Sequence, residues 1–290
     1  SIAATAANGG LLTPATDLDP AEERWEYRFD DTPYRNRVYS GFGSPVPDTP
    51  LVFGPNIADW PEMPPLPEHL LLKVVSFITD PVTTTDELIP SGETASFRSN
   101  PLGLAEFTLS RKDPSYVGKA KEVRAFTKAL ADGKAPGEIA PELEEVFSAL
   151  EAVPEFGAIL GKSVSLASAV YARKPGDGSA REQAASCQRV LGGGANIAEE
   201  YATKRYRSNL INWGMIPFVL DGEPPFSAGS WIFVPGVRQA MERGETVFPA
   251  YAAGKGSCEK ITLETGVLTE DERAVILAGS LINFNRKKTS

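Results

Sequence analysis

The sequence predicts a mixed α/β domain whose strands and helices form a barrel or three layers. Short apolar runs with β-branched centres alternate along the chain with segments of helical periodicity. Their spacing does not follow the regular strand-helix-strand rhythm of a doubly wound sheet. Hydrophobic residues make up 42% of the 290 residues, which is enough for one large domain or two small ones.

A long proline-rich connector is predicted in front of this domain. Residues 20–67 are rich in proline and aromatic residues, and they show turn signals such as SGFGSP without a sustained period. We expect such a segment to lie on a surface, because its aromatic side chains need neighbours to pack against. The domain proper begins near the apolar run LLLKVVSF, and we predict that it spans residues 68–290.

Several segments have the short, apolar and β-branched character of buried strands. They are residues 70–77, 163–171, 231–235, 246–252 and 260–263. The first of them is followed by the turn signal Asp80-Pro81. The glycine run 192–194 matches no nucleotide-binding fingerprint and is interpreted as a turn.

Helices are predicted where apolar residues recur at three- and four-residue intervals. These segments are residues 118–133, 143–150, a helix from Ser179, residues 203–213 and a last helix from Thr269. The last helix has the start of a capping box, in which Thr269 is followed three residues later by Glu272.

Charge and hydropathy exclude several classes of function. The net charge is −9, so most of the surface repels nucleic-acid phosphates and anionic membranes. No apolar run reaches the roughly 18–20 residues that cross a bilayer. The N-terminus lacks the order of a signal peptide. We therefore expect no nucleic acid or membrane as partner, and a location in the cytoplasm or, after processing, in an organelle matrix.

The cysteines and the single histidine give no metal-binding pattern. Cys187 and Cys258 are far apart and match no metal or redox spacing, so they are interpreted as buried free thiols. Two cysteines alone cannot supply the thiolates of an iron-sulfur cluster. His69 is isolated beside a proline-rich stretch. No metal site is predicted in this chain.

The segment GDGSAREQAA, residues 176–185, carries the most informative site pattern. Its glycines allow a tight reversal, and Ser179 follows at the predicted start of a helix, where backbone N–H groups favour an anion. Arg181 opposes the helix dipole there, and a bound carboxylate would explain it. The alternative is structural, because Ser179 and Glu182 also fit an ordinary capping box.

A second polar segment, TTTDELIPSGETASFRSN, follows the first strand. Asp86 and Arg98 lie twelve residues apart, on either side of the turn Pro90-Ser91-Gly92. Taken alone, this segment also fits a solvated surface loop.

Together these motifs resemble, in order, the swivel domain at the C-terminal end of the aconitase family. The matching residues are Thr84-Thr85-Asp86, Gly92, Phe97-Arg98, residues 178–185, residues 191–193, Asn209-Leu210, residues 214–217 and residues 277–283. The resemblance runs from about Leu70 to the end. Residues 1–19 resemble the tail of the cluster-bearing region that precedes this domain, and the resemblance implies a swivel-type fold.

The resemblance also implies a chemistry. Ser179 is similar to the serine that, as an alkoxide, removes the proton beside a carboxylate. Arg98 and Arg181 are similar to the carboxylate-binding arginines, and Asp86 to the acidic residue that organises the active-site hydrogen bonds. A [4Fe–4S] cluster is implied as cofactor, held by a cluster-bearing region in the same polypeptide or in a large subunit. The implied substrate is a small hydroxy di- or tricarboxylic acid.

The sequence departs from the commonest family pattern at three positions. Ala180 stands where a second serine is usual, so one hydrogen-bond donor near the substrate is missing. Gln183 and Glu87 each stand where a histidine is usual. Two alternatives to an aconitase-like hydratase stay open: a dehydratase of the isopropylmalate or homoaconitate type, and a non-catalytic relative that binds a carboxylate or a macromolecule.

Overall fold

The computed structural model describes residues 1–14, 17, 27–37, 43, 44, 46–50, 52–159, 164–254 and 257–289. The chain divides into two units, Ser1–Val52 and Phe53–Ser290. In the first unit, helix α1 spans Ile2–Ala7 and helix α2 spans Thr32–Arg37. The boundary predicted between residues 19 and 20 lies outside the described residues. The limits of the predicted domains stay predictions.

The second unit is built on a barrel. Its strands are β1 His69–Ile78, β2 Thr83–Thr84, β3 Val164–Ala172, β4 Pro175–Asp177, β5 Gly193–Ala198, β6 Ile216–Val219, β7 Trp231–Val234, β8 Val247–Gly254 and β9 Ser257–Glu264. Within the described part of the chain, seven strands close into a barrel in the order β1-β3-β5-β6-β9-β8-β7. Within the barrel, strands β1, β3, β5 and β6 pair in parallel, and the remaining barrel pairs are antiparallel. The predicted mixed, barrel-like α/β fold is confirmed.

Helices cover the outside and the ends of this barrel. They are α3 Thr85–Leu88, α4 Pro101–Ala105, α5 Tyr116–Ala131, α6 Pro136–Ile139, α7 Pro141–Leu150, α8 Pro154–Ile159, α9 Arg181–Val190, α10 Lys204–Asn212, α11 Val237–Arg243, α12 Glu270–Ala278 and α13 Leu281–Thr289. No helix of the described residues is both long and apolar enough to cross a membrane.

The parallel strands β1, β3, β5 and β6 are buried on both faces, which explains why β1 has a continuous rather than an alternating apolar run. Leu70 and Leu72 belong to one hydrophobic cluster, whereas Leu71 and Val75 belong to another that includes residues of α5, α7 and α9. Alternate side chains of a strand point to opposite faces, so a single strand serves both cores.

The predicted strands and helices agree with the structure to within a few residues, except that the helix from Thr269, which was predicted as the last, ends at Ala278 and is followed by α13. The capping box of Thr269 and Glu272 is formed. The interpretation of residues 192–194 as a turn is wrong for Gly193 and Gly194, which begin β5. A Cβ on Gly194 would lie 2.6 Å from that of Ala167. These glycines are therefore needed because neighbouring elements approach closely, not because the chain reverses.

One aromatic residue of the predicted connector packs on the barrel unit. The ring of Trp60 lies 4.4 Å from that of Trp213, measured between centroids. Asn283 donates from its side-chain amide to the carbonyl of Met63 at 2.7 Å. The end of the connector, from Trp60 to Leu66, is therefore held against the end of α10 and against α13.

Candidate active site

Strands β2 and β4 bring the two polar segments of the sequence together. They pair in parallel, with Thr84 opposite Asp177. Just beyond them, the backbone N–H of Ala180 donates to the hydroxyl oxygen of Thr85 at 3.2 Å, and this bond is buried. The helix that carries Asp86 and the turn that carries Ser179 are therefore neighbours.

The turn before Ser179 requires glycine at two positions. Gly176 has φ of 99° and Gly178 has φ of 128°, a region that L side chains rarely adopt. A Cβ on Gly176 would overlap the ring of Tyr206, and one on Gly178 would overlap the hydroxyl of Thr85. The turn is thus held closely against two other elements, and this confirms the tight reversal expected from the sequence.

Ser179 lies before the start of α9 rather than at its cap. The first helical residue is Arg181, and the cap residue is Ala180, which makes no side-chain capping bond. The capping box proposed for Ser179 and Glu182 is therefore wrong. The carboxylate of Glu182 instead accepts from the indole N–H of Trp213 at 3.1 Å, because that donor lies within reach of its side chain. The side chain of Ser179 is left exposed.

Ser179 faces an open cleft of about 430 Å³. The cleft is lined by residues of the turn, of α9 and of α10, namely Ser179, Arg181, Glu182, Lys204, Arg205, Ser208 and Asn209. Its volume lies within the range of about 300–1,000 Å³ that is usual for small-molecule sites. The lining has three basic side chains and one carboxylate, so the cleft favours an anionic ligand.

Arg181 and Glu182 are each held at the edge of this cleft. The guanidinium of Arg181 donates from Nη1 to the carbonyl of Gly178. Partial burial of the Glu182 carboxyl raises its pKa, and the bond from Trp213 opposes this rise. The guanidinium of Arg181 thus lies beside Ser179, with donors left over for a ligand.

Asp86 and Arg98 occupy different surroundings. Asp86 on α3 is exposed and accepts from Arg111 at 2.5 Å. Arg98 follows a short 3₁₀ helix, Ala95–Phe97, and is also exposed. Its guanidinium makes no ion pair or hydrogen bond to the residues that the structure describes. Neither side chain lines the cleft of Ser179, although Asp86 belongs to the helix that contacts its turn.

Two of the positions that depart from the family pattern have structural partners. The methyl group of Ala180 is buried in the hydrophobic core, with only 7% of the residue exposed. Glu87 closes a capping box with Thr84 and pairs with Lys112 at 3.1 Å. This capping box, T-x-x-E, is readable in the sequence but was not predicted.

A buried polar cluster connects the elements that line the cleft. The hydroxyl oxygen of Tyr206 accepts from the side-chain amide of Asn196 at 2.8 Å and from that of Gln188 at 3.0 Å. Tyr206 is fully buried, and this burial raises its pKa far above the usual range. Thr203 donates to the carbonyl of Gly176 at 3.1 Å. These bonds fix α9 and α10 against β5 and the turn.

The sequence interpretation missed Lys204, Arg205 and Ser208. Lys204 and Arg205 lie in the first turn of α10, which begins after the capping residue Thr203. Two cations in a first turn oppose the helix dipole, and this is the same signal that drew attention to Arg181. The pattern Thr203-Lys204-Arg205 could therefore have indicated them.

The described residues contain no group of three or more His, Cys, Asp or Glu side chains placed to hold a metal ion. Cys187 is buried and Cys258 is half-buried, and both are free thiols. His69 accepts from the backbone N–H of Gly236 at 3.0 Å. Two separate thiols do not fit the ligand set of an iron-sulfur cluster, so no step is assigned to such a group on this chain.

Residues 165–223 match the family model of the aconitase C-terminal domain. The resemblance to the aconitase family is confirmed. The matched segment includes every residue that lines the cleft of Ser179, whereas Asp86 and Arg98 lie outside it. The arrangement of turn, α9 and α10 is thus the part of the chain where the aconitase-type pattern is best supported.

This chain is similar to known proteins in sequence and in structure. A protein of Aspergillus fumigatus that carries the name of a mitochondrial aconitate hydratase is 30% identical over 117 residues. That alignment covers 39% of this chain and only 14% of the relative. A crystal structure of 3-isopropylmalate dehydratase from Methanocaldococcus jannaschii superposes with a TM-score of 0.45 at 16% identity, over 76% of this chain and 95% of the other.

Proposed function

We propose that this chain supplies the proton-abstracting and carboxylate-binding part of an aconitase-like hydro-lyase. The observation that carries the proposal is the cleft in which Ser179 lies beside Arg181, within the segment that matches the aconitase C-terminal domain. The substrate class is a hydroxy di- or tricarboxylic acid. The reaction removes water from it, or adds water to the corresponding unsaturated acid.

In this proposal Ser179 acts as the base. A serine hydroxyl is a weak acid, and its ionised form needs nearby positive charge to be accessible. Three cations line the same cleft, and the side chain of Ser179 is exposed to it. The alkoxide would accept the proton from the carbon next to the substrate carboxylate, and the resulting hydroxyl would return it in the reverse direction.

The arginines would bind and orient the substrate. The guanidinium of Arg181 has donors beyond the one used on Gly178, and its planar fork suits a carboxylate. We propose that Arg98 also contacts a substrate carboxylate, and that Asp86 organises hydrogen bonds around the turn. Ala180 would contribute its backbone to the site, because its side chain is buried in the core.

The family reaction also uses a [4Fe–4S] cluster, which supplies a Lewis acid for the departing hydroxyl. We propose that a cluster-bearing region outside this chain holds it, either in the same polypeptide or in a large subunit. The chain covers 14% of the aconitate hydratase relative, so most of such an enzyme has no counterpart here. The location, cytoplasm or organelle matrix, stays a prediction.

The test is an anaerobic reconstitution of the cluster in the complete protein, followed by an ultraviolet assay with cis-aconitate. Turnover would support the hydratase assignment. An intact cluster with turnover only of an isopropylmalate- or homoaconitate-type acid would favour the related dehydratase. An intact cluster without turnover of any of these acids would contradict an enzymatic role and favour a non-catalytic carboxylate-binding protein.

A further inference from the structure

We infer that Lys204 and Arg205 form a second anion-binding subsite, which receives the carboxylate of the substrate that lies farther from Ser179. This inference rests on the proposed function, and it adds that the ligand carries at least two separated negative groups. Neither residue belongs to the site pattern that the family resemblance implied. Both lie in the cleft that Ser179 and Arg181 also line.

The position of these two cations is fixed by the turn before Ser179. The hydroxyl of Thr203 donates to the carbonyl of Gly176 and accepts from the backbone N–H of Tyr206 at 3.2 Å. The first turn of α10 is therefore bonded to the turn that leads to Ser179. The ring of Tyr206 packs directly against Gly176, so this end of α10 cannot shift without moving that turn.

One face of α10 points into the cleft. Ser208 lies four residues after Lys204, and Asn209 lies four residues after Arg205. These four side chains therefore form one continuous face of the helix. The hydroxyl of Ser208 donates to the carbonyl of Lys204 at 3.1 Å, so the donors that this face offers to an anion are the two cations and the amide of Asn209. These donors span more than one helical turn.

Neither cation serves the fold through a bond of its side chain. Arg207, on the same helix, donates from Nη2 to the carbonyls of Thr265 and Val267 at 2.9 and 3.3 Å. Lys204 and Arg205 are exposed, and within the described residues their charged groups have no such contact and no ion pair. Both also oppose the dipole of α10.

Lys204 and Arg205 do not lack partners for want of carboxylates, because the net charge is −9. Several other basic residues of this unit are paired: Lys112 lies 2.9 Å from Asp80, and Lys174 lies 2.6 Å from Glu200. The one carboxylate of the cleft, that of Glu182, is engaged by Trp213. A ligand with two anionic groups would satisfy Arg181 at one end and the pair on α10 at the other.

The experiment compares the double variant Lys204→Gln/Arg205→Gln with the wild type, in the complete protein. Citrate binding is measured by calorimetry at two salt concentrations, and steady-state kinetics are measured where there is turnover. Lys119→Gln is the matched control, because Lys119 is an exposed lysine in the first turn of another helix, α5. The folded fraction is checked by the unfolding temperature, which should not fall in the double variant.

We expect each substitution to weaken citrate binding about tenfold and the double variant about a hundredfold, as for the loss of one or two charge-assisted hydrogen bonds. KM should rise similarly while kcat stays within about threefold, since the subsite is distant from the reacting carbon. The salt dependence of citrate binding should be weaker in the double variant. Lys119→Gln should match the wild type.

Some outcomes would overturn this inference alone. Turnover with unchanged KM and citrate affinity in the double variant would refute the subsite and leave the proposed function standing. If the wild type binds citrate without turnover and the double variant loses this binding, the proposed reaction is refuted and the subsite is supported. Inorganic phosphate that binds the wild type more tightly than citrate would contradict the carboxylate assignment, and so would a wild type that binds no citrate.

Discussion

The turn that leads to Ser179 should be intolerant of a single methyl group. We predict that Gly178→Ala destabilises the protein, because Gly178 has φ of 128° and its new Cβ would overlap the hydroxyl of Thr85. Adopting such a backbone conformation costs a non-glycine residue about 1–3 kcal/mol. Displacing Thr85 also breaks its buried bond with the N–H of Ala180, at a further cost of about 1–3 kcal/mol.

The expected loss is therefore about 2–6 kcal/mol of the free energy of unfolding, a large fraction of the about 5–15 kcal/mol typical of folded proteins. The measurement is urea unfolding followed by circular dichroism. Gly118→Ala is the control, because a Cβ on this exposed glycine of α5 meets no other atom within 4 Å. Alanine should stabilise that helix by about 0.5–1 kcal/mol.

Thr85→Val separates the two contributions to this loss. It keeps the shape of the side chain but removes the acceptor, so the buried N–H of Ala180 loses its partner, at a cost of about 1–3 kcal/mol. A Gly178→Ala variant within about 0.5 kcal/mol of the wild type would refute the described turn. A neutral Thr85→Val would show that the bond to Ala180 does not hold the turn.

Three further predictions follow from burial. Tyr206→Phe should cost about 2–4 kcal/mol in urea unfolding, since two buried amide donors lose their acceptor, whereas the exposed Tyr27→Phe should be neutral. Burial raises the pKa of Cys187 to about 12. A thiol reagent on the native protein should therefore label Cys258 first and Cys187 only on unfolding, as read by mass spectrometry. Equal labelling of the two cysteines would contradict this. Because burial raises the pKa of Glu182, its ionised form is disfavoured in the folded state. The free energy of unfolding of Glu182→Gln should therefore rise relative to that of the wild type as pH rises from 4 to 7. A difference that does not depend on pH would contradict this prediction.

Most of the barrel could be predicted from the sequence, because long strands buried on both faces leave continuous apolar runs. Strand β1, His69–Ile78, is the clearest case. Strand β5 was missed because its sequence, GGANIA, consists mostly of small residues that indicate a turn when taken locally. Their role depends on Ala167 of the neighbouring strand, which is distant in sequence, so no local pattern could reveal it.

The candidate site was predictable only where it is local. Ser179 and Arg181 are two residues apart, and their pattern was visible in one segment. The cations of α10 lie more than twenty residues further on, and they join the cleft because Thr203 and Tyr206 bind the turn. The capping box proposed for Ser179 failed because α9 begins only at Arg181, and the carboxylate of Glu182 accepts instead from the indole of Trp213, which is distant in sequence.

The central claim is that Ser179 performs chemistry rather than binding. Its most direct test measures both citrate affinity and turnover of cis-aconitate for Ser179→Ala in the cluster-loaded complete protein, with Ser208→Ala as a control from the same cleft. We predict a fall in kcat of about 10²–10⁴, as expected for a lost general base, with citrate affinity within about threefold of the wild type. Turnover retained in Ser179→Ala, or an equal loss in Ser208→Ala, would contradict the assignment.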